Sequence, residues 1–139
     1  MIYIISMGNK PMRKTGFEEI QQYIQSNDTN LILINTLDSN DQDVLILKTV
    51  HCQNEVAVVN KAISEKKCII VYGYNNNDER VIDKYNQILK LGHANVSMYV
   101  GGLFEWLMLN DIYGSEQFPV TKQCNDFYKY RPKALLYLL

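Results

Sequence analysis

Between Thr15 and Ile24 the apolar residues Phe17, Ile20, Tyr23 and Ile24 recur at helical spacing. Glu18 stands three residues after Thr15, the spacing of a capping box. The pattern predicts a helix capped by Thr15. Leu31–Ile34 is a short unbroken apolar run, as in a strand buried on both faces. Val44–Val50 is a second run of strand length, and Asp38–Asp43 between them is polar and turn-like. That connection is short for a parallel crossover, which usually takes about ten residues or more, so a hairpin is the local alternative. Asn54–Ile63 reads as a helix with Val56, Val59 and Ile63 turned inward. Cys68–Tyr72 is the clearest buried strand, and Gly73–Asn77 the loop that follows it. Asp78–Leu91 has a helical apolar face of Val81, Ile82, Tyr85, Ile88 and Leu89, with Gly92 placed to end it. Val96–Val100 is a further strand, and Gly101-Gly102 leads into a helix from Leu103 to about Leu109. Beyond Tyr113 the chain is aromatic and irregular, with a short helix expected over Pro132–Leu138.

Strands alternating with helices predict an α/β domain with a largely parallel sheet. In such sheets ligands sit beyond the carboxyl ends of the strands. The loop after Tyr72 is therefore the first place to look for function. Composition narrows the classes without naming an activity. A chain of 139 residues, 47% apolar and 21% charged, suits one globular domain and excludes disorder as its main state. A net charge of −1 argues against broad nucleic-acid or membrane binding by charge alone. No apolar run is long enough to span a bilayer, and Met1–Met7 is too short for a signal peptide and lacks a basic leader. Three cysteines without CxxC spacing speak against a disulfide framework or a metal site. Cys52, Cys68 and Cys124 are expected to be free thiols in a cytoplasmic, reducing setting, with no cofactor.

The order of motifs resembles a rhodanese domain of the sulfurtransferase superfamily. The residues that carry the resemblance are Ile69-Ile70-Val71-Tyr72, a loop, a helix, Leu91-Gly92-His93-Ala94-Asn95-Val96, and Val100-Gly101-Gly102-Leu103-Phe104-Glu105-Trp106. The family pattern is a strand ending in a catalytic Cys, a tight loop, a helix, Leu-Gly-aromatic-x-x-Val and Gly-Gly-x-x-x-Trp. The resemblance spans Thr15 to Leu109. The tail, with Tyr113-Gly114 and Phe118-Pro119, is similar to short rhodanese-like proteins of large DNA viruses and protists. The resemblance implies a mostly parallel sheet of about five strands with helices on both faces, and Val44–Val50 as one of those strands. It also implies a loop whose N–H groups cradle a persulfide formed on the Cys.

The chain departs from that pattern at the nucleophile. Gly73 stands where the family has Cys, and glycine can neither attack a sulfur donor nor store a persulfide. The family's Asp-x-Arg at the end of its second strand is replaced by Asn35-Thr36-Leu37. Cys68 is expected about 16 Å from Gly73, at the other end of its strand, as a core thiol. Cys124 lies in the tail. Cys52 follows the Val44–Val50 run and precedes a helix, so it is the candidate substitute nucleophile; its plain reading is a loop residue, and adjacent His51 is poorly placed as its base.

Gly73, Tyr74, Asn75, Asn76, Asn77, Asp78, Glu79 and Arg80 form the candidate ligand-binding loop. Arg80 stands where a basic residue aids anion binding in this family. The competing reading is helix capping, with Asp78 and Glu79 complementing the helix dipole. Phe127-Tyr128-Lys129-Tyr130-Arg131 is an aromatic-basic run expected to dock on the domain surface, and His93 and Trp106 are expected to pack. These readings divide the chain into an arm at 1–12, a rhodanese-like domain at 13–112 and an extension at 113–139 packed on it. They predict a binding or regulatory module without sulfurtransferase activity, with an unidentified protein partner and a small anion as candidate ligand at the loop. Sulfur transfer through a non-standard Cys such as Cys52 is the alternative.

Overall fold

The computed structural model describes residues 12–26 and 28–133. The expected arm at 1–12 therefore falls outside the described residues except for Met12, and the helix expected over Pro132–Leu138 falls outside them beyond Lys133. Four parallel strands form one sheet in the order β1-β4-β3-β2: β1 Lys14–Thr15, β2 Leu31–Asn35, β3 Cys68–Tyr72 and β4 Val96–Tyr99. Four helices connect or follow them: α1 Phe17–Gln25, α2 Glu55–Ser64, α3 Glu79–Lys90 and α4 Gly102–Tyr113. The α/β architecture with a parallel sheet is the one expected.

The strands are apolar throughout because both faces are covered. Leu33, Ile70, Tyr72 and Tyr99 face a core shared with Ile20, Leu103, Trp106 and Phe118. Ile34, Ile69, Val71, Val96 and Met98 face the other core, closed by Val59, Ala62, Val81, Tyr85 and Ile88. This alternation is the period of two expected of strands between two helical layers.

Several local expectations change. The run 44–50 is not a regular strand. Thr49 alone bridges Leu33 in parallel, and Val50 N–H reaches Leu33 C=O at 2.8 Å. Lys48 has φ 70°, and Thr49 N–H turns back to Ile46 C=O at 3.1 Å, so the chain cannot stay extended. Its other groups pair with the extension, Leu47 N–H to Pro119 C=O and Thr121 N–H to Leu45 C=O. The sheet has four strands for that reason rather than five. Thr15 does not cap α1. It lies in β1 with its hydroxyl 2.5 Å from that of Ser97, and Gly16 is the N-cap, its N–H donating to the Glu19 carboxylate. Val56 is 73% exposed, since α2 packs through Val59 and Ala62. Ile82 and Leu89 also lie on the solvent side of α3. Gly92 follows α3 at φ 88°, the left-handed conformation that suits glycine.

Candidate functional site

The loop Gly73–Asp78 leaves the carboxyl end of β3, an inner strand, on the edge where parallel α/β sheets generally take their ligands. Its geometry is set by Asp78. That side chain is 7% exposed and caps α3. One carboxylate oxygen accepts from Tyr74 N–H at 3.0 Å and from the Thr36 hydroxyl at 3.3 Å. The other accepts from Arg80 N–H at 3.1 Å and from Arg80 Nε at 3.2 Å. The carboxylate thus takes donors that an incoming anion would need. Asn75 takes two more loop groups, its side-chain oxygen accepting from Asn77 N–H at 2.9 Å and its C=O from Asp78 N–H at 3.3 Å.

Gly73 is enclosed. A β-carbon built there would lie 2.3 Å from Asp78 Oδ2 and 2.7 Å from both Thr36 Oγ1 and Val81 Cγ2. No side chain of any size fits without moving a capping carboxylate and two short, stiff side chains. Its φ is not in the left-handed region, so glycine is used here for close approach, not for backbone freedom.

Gly102 answers a second close approach. It has φ 70°, and a β-carbon there would lie 2.7 Å from Gly73 C=O and 2.9 Å from Asn75 N. This lets the first N–H groups of α4 reach the loop, Leu103 to Gly73 C=O and Phe104 to Tyr74 C=O, each at 2.9 Å. The second glycine of the Gly-Gly-x-x-x-Trp motif therefore serves the loop. Trp106 serves the core, fully buried with its Nε1 donating to Pro119 C=O at 3.1 Å. Glu105 lies over Gly101 and accepts from the buried Tyr99 hydroxyl at 2.6 Å. Burial, then that hydrogen bond and charge, raises the Tyr99 pKa and keeps it a donor.

Arg80 is engaged as well. It donates to Asp38 at 2.8 Å, pairs with Asp78, and lies over the Tyr74 ring at 5.2 Å. The Tyr74 ring also stacks on that of Tyr130 at 5.7 Å. The Tyr74 hydroxyl donates to Asp41 at 2.5 Å and accepts from Asp38 N–H at 3.2 Å. Burial first, and then the bond to Asp41, pushes its pKa well above the ordinary tyrosine value, so it remains a donor at neutral pH. Tyr74→Phe should lower stability by about 1–2 kcal/mol, the loss of a hydrogen bond to a charged group. Urea unfolding reads this, and a change below about 0.3 kcal/mol would mean the bond does not hold the loop.

The cysteines stand apart from this loop. Cys68 opens β3 at the end remote from Gly73, half-buried, and burial raises its thiol pKa. Cys52 begins a 3-10 turn ahead of α2. The segment leading to it lies outside β2, two strand spacings from β3, or roughly 10 Å across the sheet. Its N–H donates to Gln42, and His51 Nδ1 accepts from Gln53 N–H at 3.1 Å, so that imidazole nitrogen is committed to the turn. His93 is buried with Nε2 2.7 Å from Lys67 C=O. No group of three or more metal-ligating side chains occurs among the described residues. No helix among them is long and apolar enough to cross a membrane.

Two roles were not legible in the residues. Thr36 fills the space beside Gly73, and Asn35 is buried, exchanging hydrogen bonds with Gln42. Both lie where the family's Asp-x-Arg would stand. That departure is the signal the sequence carries for them.

No protein-family model matches this chain, and no curated protein matches it. Solved structures do. The BH2092 protein of Bacillus halodurans aligns with a TM-score of 0.60 at 17% identity, over 78% of this chain and 80% of its own. The Alr3790 protein of Anabaena sp. aligns at 0.58 and 19%, over 83% and 84%. The As-Sb reductase of Leishmania major aligns at 0.55 and 18%, over 77% and 90%. The chain has the rhodanese-like fold of these neighbours. At such identities the likeness concerns the fold.

Proposed function

We propose that this chain is a rhodanese-fold binding or regulatory module without sulfurtransferase activity. One observation carries the reading: the position of the nucleophile is a glycine whose side-chain space is filled by Asp78, Thr36 and Val81. A sulfur carrier needs a thiolate at that point and free N–H groups around the anion it stores. Here the thiolate is replaced, and a carboxylate of the chain itself sits among the donors. The same closure recurs along this edge of the sheet. Glu19 takes Gly16 N–H at the start of α1, and α4 gives its first N–H groups to the loop. The starts of α1, α3 and α4, where a substrate anion could be held, are occupied from within. Phosphatase chemistry by a Cys loop fails on the same two grounds. The role left to the edge is recognition, by a protein partner or at a cleft beside the closed loop.

The test is intact mass after incubation of the reduced protein with thiosulfate or a persulfide donor. No gain is expected under conditions that load a control rhodanese. A gain of about 32 Da on one cysteine, removed by Cys52→Ser, would overturn the proposal and establish the alternative nucleophile.

A further inference from the structure

A cleft of about 440 Å³ lies beside the closed loop, between Tyr74 and Asn77 on one side and the extension on the other. The extension brings Lys129, Arg131 and Lys133 to it, cations on alternate residues of one short stretch. None of the three forms a salt bridge among the described residues. The cleft also contains two carboxylates, and both are already engaged. Asp78 is held by Arg80, Thr36 and Tyr74 N–H, and Asp41 accepts from the Tyr74 hydroxyl. Three cations against two carboxylates, one of them paired with Arg80, leave the excess charge facing the cleft positive.

The floor is fixed. Asn75 donates to Tyr130 C=O at 2.8 Å, Tyr130 is buried, and its ring stacks on Tyr74. Arg131 is set by a bond from its guanidinium to Tyr128 C=O at 3.1 Å and lies over the Tyr128 ring at 4.5 Å. Arg80 and Tyr130 both pack on the Tyr74 ring, and Lys129 lies over the Tyr130 ring, so the aromatic surface of the cleft is already partnered. What it presents is charge and donors.

We infer that this cleft binds a compact oligoanion, a chain of two or more linked phosphoryl groups, either free or as the tail of a nucleotide. Exposed ion pairs are individually weak, so one phosphate meeting one cation would hold poorly. Several linked charges can engage all three cations together, with the guanidinium able to bond two oxygens at once. This names a ligand class for the binding module proposed above, and it rests on that reading in taking the cradle at Gly73 as closed.

The experiment is calorimetric titration of the full chain with sodium tripolyphosphate, orthophosphate and ATP, without divalent metal. Tripolyphosphate should bind at least about tenfold more tightly than orthophosphate, and weaken as ionic strength rises from about 0.02 to about 0.2 M. ATP binding as tightly as tripolyphosphate assigns recognition to the phosphoryl chain alone, and tighter binding assigns a nucleotide. Lys129→Gln with Lys133→Gln should weaken binding about tenfold, whereas Lys90→Gln at the far end of α3 should not. These residues are exposed, so the variants should fold. No binding, equal affinity for tripolyphosphate and orthophosphate, or an unaffected double variant would each overturn the inference. Sulfur loading reads the cysteines and this titration reads the cleft, so either proposal can fail alone.

Discussion

Gly73→Cys is expected to destabilise the protein by about 3 kcal/mol and to gain no sulfur-transfer activity. Overpacking a tight site costs about 1–3 kcal/mol. Here the new β-carbon meets three atoms closer than contact distance. The most mobile of them, Asp78 Oδ2, cannot swing away without releasing Tyr74 N–H and Thr36. Loss of that cap adds roughly 1 kcal/mol. A double-mutant cycle with Asp78→Ala isolates the clash. Alone, Asp78→Ala should cost about 1–2 kcal/mol, because it uncaps α3 and leaves Arg80 with Asp38 only. In the double variant the carboxylate is no longer in the way, so the combined loss should fall short of the sum by at least about 1 kcal/mol. Urea unfolding of the four proteins measures this. Simple additivity would mean that Asp78 does not occupy the space of the missing side chain. A stable Gly73→Cys protein would mean that the loop yields freely, and the steric basis of the functional reading would be lost.

What could be read in the residues, and what could not, divides by the range of the contacts involved. Cys68–Tyr72, the α3 face of Val81, Tyr85 and Ile88, and the Gly92 stop depend on local period and local backbone preference. They stand in the structure as expected. Capping by Asp78 is equally local. The run 44–50 has the composition of a strand, yet it is diverted by a left-handed Lys48 and by hydrogen bonds to residues some 75 positions away, such as Leu45 C=O to Thr121 N–H. Composition does not encode that partner. Val56 fails for a related reason. Its helix is amphipathic, but which face of α2 meets the sheet is decided by Val59 and Ala62.

The candidate site follows the same division. Gly73 announces that no thiol is present, and that much is plain from one letter. That its space is closed by Thr36 from the end of β2 is a tertiary fact. The extension is the extreme case. Lys129 and Arg131 stand out in sequence only as part of an aromatic-basic run. Their place at the loop depends on Asn75 bonding Tyr130 C=O and on Phe127 packing against Phe104 at 6.1 Å.

Phe118→Ala should remove about 3–5 kcal/mol of stability, a large fraction of the roughly 5–15 kcal/mol that a domain usually has. Phe118 is 2% exposed although it belongs to the extension. Its ring meets Trp106 edge-on at 5.0 Å, Phe17 at 5.4 Å and Tyr113 at 6.1 Å. Around it the backbone of the extension is tied inward. Asn110 donates to Phe118 C=O at 2.8 Å, Trp106 to Pro119 C=O, and Gln21 to Gln117 C=O at 2.8 Å. Truncation at 118 therefore opens a cavity bounded by α1, α4 and the 44–50 segment, which cannot collapse without breaking these bonds. Trp106 is the single tryptophan, so its fluorescence reports the transition directly in a urea titration. Phe118→Leu, which keeps most of the volume, should cost less than half as much. A loss below about 1 kcal/mol in Phe118→Ala would show that the extension rests on a core complete without it. A loss of the expected size makes residues 114–120 a structural part of the domain, and it ties the cationic stretch at 129–133 to a rigid base.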